Sequence, residues 1–338
     1  MQVPVSLTGL RDIDIIATLG PKTFTESVLS KLVHSGASIF RINGSHESVD
    51  QIEIHAKKIR KAAGSKVRIL VDLPGNKVRT TGLSKPIPLS IGKAIELYRH
   101  QVNYEGFFRV LTEGEELLAS DGLIRFEIEG VSDEKIILRC KTNGELGNHK
   151  GLHTGAVHNL PFLFEKDYAI LEKAKRADID YVGVSFVRQR EDVEVVRNIV
   201  AGSPLQMLVK VETRDAVENL DAILPVVEQI LIDRGDLCAD IGYVHVPFTQ
   251  AMVMRKARAK GVKVALATQF LHSMVTRDVP LIAEVEAIYH AVKSGASAIQ
   301  VSEETSVGDY PDEVVKVVAN MIQQALREES GLNMVMSR

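Results

Sequence analysis

Eight short apolar runs, each ending in polar residues, constrain this chain more than any other feature. They span residues 13–19, 38–42, 67–73, 181–186, 205–211, 230–232, 262–267 and 298–301. They are rich in β-branched residues and nearly continuous in apolar character. A strand with one wet face alternates apolar and polar positions. A strand covered by helices on both faces does not. The runs therefore predict a parallel sheet.

Helix-period stretches lie between most of them. Thr23-Phe24-Thr25-Glu26 reads as a capping box, with Thr23 at the N-cap and Glu26 three residues on. Val28, Leu29, Leu32 and Val33 then share one helical face, and Gly36 stands where a C-terminal cap belongs. The stretches 51–63, 166–177, 192–200, 247–260, 283–294 and 312–327 repeat the theme. Ser35-Gly36-Ala37-Ser38 recurs as Ser294-Gly295-Ala296-Ser297, each time leading from helix to strand. Eight strands alternating with about as many helices predict an α/β chain folded as a (β/α)8 TIM barrel. An open doubly wound sheet is the rival. Closure suits eight units better, and no G-x-G-x-x-G follows the first strand.

One connection breaks the rhythm. After the third strand, residues 85–97, 107–111, 122–129 and 134–140 look like further strands, now alternating in polarity. Turn signals punctuate them at Ser90-Ile91-Gly92, Asp121-Gly122, Ser132-Asp133 and Asn143-Gly144. This predicts a small all-β domain inserted after strand 3, over residues 82–160. Residues 1–81 and 161–338 are left for the barrel.

Composition narrows the partners. A chain of 338 residues buries enough core to need no disulfide or structural metal, and two cysteines make no disulfide framework. A net charge of −3 offers no basic field for nucleic acid. No apolar run reaches the roughly 18 residues of a membrane span, and residues 1–10 lack the basic start and apolar core of a signal peptide. The expectation is a cytoplasmic protein that handles small molecules.

In barrels of this kind chemistry gathers at the C-terminal strand ends. Those ends carry Arg41 and Asn43, Asp72, Ser185, Lys210 and Glu212, Asp233 and Asp236, Thr268 and Gln269, and Ser302, Glu303 and Glu304. Lys210 and Glu212 are two apart on a strand, so they share a face. Asp236 comes from the neighbouring strand end. Two carboxylates about 4 Å apart repel by about 4 kcal/mol at an effective dielectric near 20. A divalent cation removes that cost, and oxygen ligands without His or Cys favour Mg²⁺ or Mn²⁺. The same residues also suit a carboxylate–lysine cluster closing the barrel rim. Arg41 suits a phosphate or, equally, a rim acid.

These segments resemble the pyruvate kinase family, over residues 14–327. Ala17-Thr18-Leu19-Gly20-Pro21 is similar to its opening strand, and Arg41-Ile42-Asn43-Gly44-Ser45-His46 to its R-x-N-x-S-H segment. Residues 72–79 resemble D-T-K-G-P-E-I-R. Ser120-Asp121-Gly122-Leu123-Ile124 and Lys150-Gly151 resemble the lid. Val209-Lys210-Val211-Glu212, Arg234-Gly235-Asp236-Leu237, Ala267-Thr268-Gln269 and Ser302-Glu303-Glu304-Thr305 resemble the remaining barrel signatures.

The resemblance implies phosphoryl transfer between an enol phosphate, phosphoenolpyruvate or a related 2-oxo acid enol, and ADP/ATP. It implies Glu212 and Asp236 as ligands of Mg²⁺ or Mn²⁺, and Lys210 as the cation on the phosphoryl group and enolate oxygen. Arg41 joins Lys210 and Thr268 in the catalytic set, Thr268 helping to deliver a proton through water. Gly235 and Asp236 would hold the substrate carboxylate through their N–H groups. Asn43, His46, Arg79, Asp121 and Lys150 match nucleotide- or phosphate-contacting positions, under a lid that closes and excludes water.

Departures from the family pattern carry their own expectations. The sequence ends at Arg338, which implies no C-terminal regulatory domain and no effector site; a barrel–barrel homodimer stays open. Asn43, Ser45 and Asp72 resemble K⁺ ligands, yet Lys77 stands where many members have Glu. Its ammonium would replace the ion and make K⁺ unnecessary. Pro74, Asn76 and Glu303 replace a lysine, a proline and a glycine. Asp233 replaces the alanine of A-R-G-D. This suggests contact with a polar or cationic group on a substrate other than pyruvate, an acid/base role, or simple pairing with Arg234 or another cation. The alternative function is a metal-dependent lyase, decarboxylase or other enolate enzyme on the same barrel, without phosphoryl transfer. His149, His153 and His158 read as solvated loop histidines.

Overall fold

A computed structural model describes residues 12–120, 122–154 and 160–329. The barrel opens with β1 (Asp14–Thr18), β2 (Ile39–Asn43) and β3 (Arg68–Asp72). The excursion carries β4 (Val78–Arg79), β5 (Ile87–Leu89), β6 (Ala94–Tyr98), β7 (Glu116–Ala119), β8 (Ile124–Val131), β9 (Lys135–Cys140), β10 (Gly144–Leu146) and β11 (Gly151–His153). The barrel resumes with β12 (Tyr181–Val184), β13 (Gln206–Val211), β14 (Gln229–Asp233), β15 (Lys263–Ala267) and β16 (Ala298–Val301). The eight barrel strands close in the order β1-β16-β15-β14-β13-β12-β3-β2, all parallel.

The helices are α1 (Glu26–Ser35), α2 (Val49–Ala63), α3 (Glu165–Ala174), α4 (Arg190–Val200), α5 (Arg214–Glu218), α6 (Leu220–Ile223), α7 (Arg234–Ile241), α8 (Val246–Ala259), α9 (Ile282–Lys293), α10 (Glu303–Ser306) and α11 (Pro311–Glu329). Their apolar faces and the outward side chains of the strands form one core, including Leu29, Phe40, Ile52, Ile170, Val209 and Val315. A smaller core fills the barrel itself, with Ile16, Ile39, Leu70, Tyr181, Leu208 and Leu231. Burial on both strand faces explains the unbroken apolar runs.

Two local readings change. Thr25, not Thr23, caps α1, its hydroxyl accepting from the N–H of Val28. Thr23 Oγ1 accepts instead from the N–H of Gly20 at 2.8 Å, closing the turn after β1. Residues 107–111 form no strand. Phe107 and Phe108 lie in a 3₁₀ segment, Glu105–Val110, and both are buried under the lid sheet. Residues 85–97 divide into β5 and β6 at the Ser90-Ile91-Gly92 turn signal.

The lid is a six-stranded sheet, β4-β11-β7-β8-β9-β6, beside the two-stranded pair β10-β5. It has its own core, including Val78, Leu97, Phe107, Phe126 and Leu138. The chain leaves the barrel through Gly75 and returns through Phe164. Asp167 ties both crossings together. Fully buried, it accepts from the N–H of Gly75 at 2.9 Å and of Phe164 at 2.8 Å. Phe164 also stacks on Tyr104 of the lid, centroids 4.3 Å apart. No described helix is long and apolar enough to cross a membrane.

Burial pushes the Asp167 carboxyl up from 3.8 to about 6. Its folded value lies above its unfolded one, so the folded chain holds this proton more tightly. Stability from this group is therefore present at low pH and falls as pH rises between those two values. Urea unfolding across that window should show the wild type losing stability relative to Asp167→Asn. Parallel curves for the two proteins would contradict the clasp.

Candidate active site

The C-terminal ends of the barrel strands and the lid enclose a cavity of about 700 Å³. Its lining includes Thr18, Arg41, Asp72, Lys77, Lys210, Asp233, Asp236 and Thr268. Strand geometry puts them there: parallel strands in register deliver all their C-terminal residues to one end.

At the centre stands Lys210, buried on β13. Its Nζ lies 2.9 Å from Glu212 Oε2, 3.4 Å from Asp72 Oδ2 and 3.6 Å from Asp233 Oδ2. Ser185 Oγ lies 3.3 Å away. Burial works against an ammonium here, but Asp72, Glu212, Asp233 and Asp236 overcome it and raise its pKa. Lys210 is therefore charged.

Asp72 is shared between two cations. Arg41 donates to its Oδ2 at 2.6 Å and to Thr18 Oγ1 at 3.2 Å. The neighbouring strand makes room with Gly183, where a Cβ would fall 2.1 Å from Asp72 Oδ1. Lys77 reaches in from the loop after β3 and pairs with Asp236 Oδ1. Burial opposes ionisation of Asp236, yet Lys77 and Lys210 hold its carboxyl well below the usual range. Burial pushes the Glu212 and Asp233 carboxyls up.

One carboxylate oxygen from each of Glu212, Asp233 and Asp236 falls within 4.8 Å of the others. Glu212 Oε1 accepts from the N–H of Phe186 at 2.8 Å. Its Oε2 is buried and, although ion-paired with Lys210, accepts no hydrogen bond of good geometry. A buried carboxylate oxygen whose one partner is an ammonium, grouped with oxygens of two more acids, offers the hard ligands that suit a divalent cation.

The rim is strained where it meets the cavity. Phe186, Thr268 and Gln269 have φ of 55°, 69° and 56°, the left-handed region that non-glycine residues avoid. Arg234 holds the Thr268 turn. Its guanidinium lies 4.0 Å over the Phe270 ring and donates to the carbonyls of Ala267 and Thr268. Among the described residues Asp233 forms no ion pair with Arg234 and pairs instead with another cation, Lys210. Asp233 caps α7, its Oδ1 accepting from the N–H groups of Gly235 at 3.2 Å and Asp236 at 3.4 Å. Thr268 Oγ1 accepts a second bond from Gly235 N at 2.9 Å and donates to the Ala267 carbonyl at 2.6 Å.

Asn43, Ser45, His46, Arg79 and Lys150 line the outer part of the same cavity. Burial lowers the pKa of His46, and Arg79, His149 and Arg41 add to the effect. Arg79 and Lys150 give this part of the cavity positive charge, which attracts anions. Asn43 Oδ1 accepts from the N–H of Ser45 at 3.1 Å. Asp121 lies outside the described residues.

Sequence reasoning misread His153, missed Asp167 and found Ser185 without its partner. His153 sits on β11 and helps hold Asp236 ionised; it is not a solvated loop histidine. His149 lies in the cavity lining, its ring 6.1 Å from His46; His158 lies outside the described residues. Ser185 and Asp167 act across long separations in the chain, 25 residues to Lys210 and 92 to Gly75. No local motif announces such partners.

A closed parallel (β/α)8 barrel, a β lid entered after its third strand, and an acid–lysine centre at the strand ends make up the site. A family model described as pyruvate kinase, barrel domain, matches residues 10–315. The chain is 32% identical to pyruvate kinase of Dictyostelium discoideum, covering 94% of this chain and 67% of that protein. It is 34% identical to pyruvate kinase of Methylorubrum extorquens, covering 96% and 70%. Pyruvate kinase of Aeropyrum pernix is 33% identical, covering 94% and 71%. The chain belongs to the pyruvate kinase family and is an enzyme of that type.

Removing the central cation leaves three acids facing one another. Lys210→Met should cost roughly 3–5 kcal/mol in urea unfolding, the scale for breaking a buried ion pair. Lys210→Met combined with Glu212→Gln should recover part of it. Equal stability of wild type and Lys210→Met would show that the cluster is not coupled as described.

Proposed function

We propose that this chain moves a phosphoryl group between an enol phosphate and ADP/ATP, passing through an enolate. The observation that carries the reading is the charged Lys210 beside the acid group Glu212, Asp233 and Asp236, inside a cavity whose outer part gathers Arg79, His46 and Lys150.

Glu212 and Asp236 would hold Mg²⁺ or Mn²⁺, which when bound neutralises charge on the transferring group and the enolate. Lys210 positions the phosphoryl group and stabilises the enolate oxygen by its fixed charge. Arg41, anchored on Asp72 and Thr18, presents a planar donor array toward phosphate. Thr268 has given its only proton to Ala267 and one lone pair to Gly235 N. Its remaining lone pair can accept from a water, whose other hydrogen is then free for the enolate carbon. Arg79, His46, Asn43 and Lys150 hold the nucleotide's phosphates, and the lid excludes water from the transfer. Asp121 is proposed for the same nucleotide role on resemblance alone.

No monovalent cation is needed in this reading. Lys77 already neutralises Asp236, Asn43 Oδ1 is engaged by Ser45, and Asp72 is engaged by Arg41 and Lys210. The reading places small molecules and nucleotide, rather than nucleic acid, as the partners.

The second reading, an enolate-forming lyase or decarboxylase without phosphoryl transfer, is favoured by one observation. Two acids that depart from the family pattern, Asp233 and Glu303, both line the cavity.

Phosphorus NMR on phosphoenolpyruvate, ADP and Mg²⁺ tests the main reading. ATP should form at the same rate in K⁺ and in tetramethylammonium, and chelation of the metal should stop it. Arg79→Ala and Lys150→Ala should raise the KM for ADP at least roughly tenfold, about the worth of one charge-assisted contact. Calorimetry showing no nucleotide binding in the presence of Mg²⁺ would leave the lyase reading standing.

A further inference from the structure

A second cavity, of about 450 Å³, opens between the lid and the barrel. Asp236 and Phe186 line both cavities, so these two side chains form the wall between them. Lys210, Arg41, Arg79, His46 and Lys150 line only the first.

Asn76 marks the second cavity as a site. It lies in the crossing loop, is 1% exposed, and lines the second cavity but not the first. Neither Oδ1 nor Nδ2 of its amide has a hydrogen-bond partner. A buried amide left this way has lost its bonds to water and gained none in return, so such groups are rare. The loop holds Asn76 in place from both sides. The N–H of Gly75 donates to Asp167 at 2.9 Å, and Lys77 is ion-paired with Asp236. An occupant that pairs with both ends of the amide must present a donor and an acceptor side by side, as another primary amide does.

The lining sets the charge of that occupant. Glu115 and Glu116, at the start of β7, belong to the lid wall, and Asp215 and Asp240 to the barrel wall. Two guanidinium groups share the cavity with these four acids, those of Arg188 and Arg214. Arg188 is already engaged, by Asp192 at 3.5 Å and by the Leu160 carbonyl at 3.1 Å. Glu212 and Asp236 also line the cavity, each paired with a lysine. A charged His153 would still leave the acids in the majority. Among the described residues no cation pairs with Glu115 or Glu116, and Glu115 accepts only from Thr154 Oγ1, at 3.4 Å. This lining repels an anion and draws in an ammonium. Leu118, Phe186 and Ala239 add apolar surface for a carbon chain joining the two polar groups.

We propose that this cavity is a second ligand site, for a small amine that also carries a primary amide. The amide pairs with Asn76, and the ammonium lies among the acids of the lid wall. The occupant touches lid and barrel at once. The site is separate from the phosphoryl-transfer centre and does not depend on that reading.

Ligand-observed NMR titrations with matched compounds test it. 5-Aminopentanamide carries both groups. Pentanamide lacks the amine, pentylamine lacks the amide, and adipamate carries a carboxylate in place of the ammonium. The wild type should bind 5-aminopentanamide roughly tenfold more tightly than pentanamide or pentylamine, about the worth of one buried polar contact. Adipamate should not bind. Asn76→Leu should bring 5-aminopentanamide down to the affinity of pentylamine. Glu116→Lys should weaken both amines roughly tenfold and leave pentanamide unchanged. Poor folding of Asn76→Leu leaves the test intact, because the compounds are compared on the wild type and Glu116 is an exposed side chain. The proposal is overturned if the wild type binds none of the compounds, or binds pentanamide or pentylamine as tightly as 5-aminopentanamide. It is equally overturned if Glu116→Lys leaves the affinity for 5-aminopentanamide unchanged.

Discussion

A single buried ammonium holds this active centre together. Lys210 sits among Asp72, Glu212 and Asp233, and without it those acids would face one another inside a poorly solvated cavity. Burial of isolated charges is costly, and opposite charges at contact distance offset that cost. Arg41 and Lys77 extend the same logic to Asp72 and Asp236. The fold makes the arrangement possible. Every strand of a closed parallel barrel ends on the same side, so residues far apart in the chain converge there without any loop having to reach across.

The strands were legible because their burial is symmetric. Inward side chains fill the barrel and outward ones meet the helices, so each strand writes itself as an apolar run ending in the polar residues of the site. Lys210 and Glu212 were legible for the same reason, by their spacing on one strand face. What the sequence hid has physical causes. The pairs β4 (Val78–Arg79) and β11 (Gly151–His153) are too short to carry a period. Helices α5 and α6 span five and four residues and show no amphipathic stripe. Thr23 and Thr25 both offered a capping hydroxyl, and a turn at Gly20 took the first. Phe107 and Phe108 fill the lid core from a 3₁₀ turn, where adjacent aromatic residues are buried together rather than alternating.

The lid and the barrel share their chemistry at the crossing points. Asp167 fastens the outgoing and returning segments, and the outgoing one carries Lys77 directly to Asp236. Gly151 of the lid packs so close to Lys77 that a Cβ there would fall 2.3 Å from its Cε. Lid position and the counter-ion of Asp236 are thus mechanically linked.

Whether the acid cluster binds a metal ion decides the chemistry of the whole centre. Anomalous diffraction from a crystal soaked in Mn²⁺ asks this directly. A peak between Glu212 and Asp236, with Lys210 still beside Glu212, is the result the account requires. An intact fold with no peak, and Lys77 still seated on Asp236, would make the cluster a self-neutralised rim and contradict it.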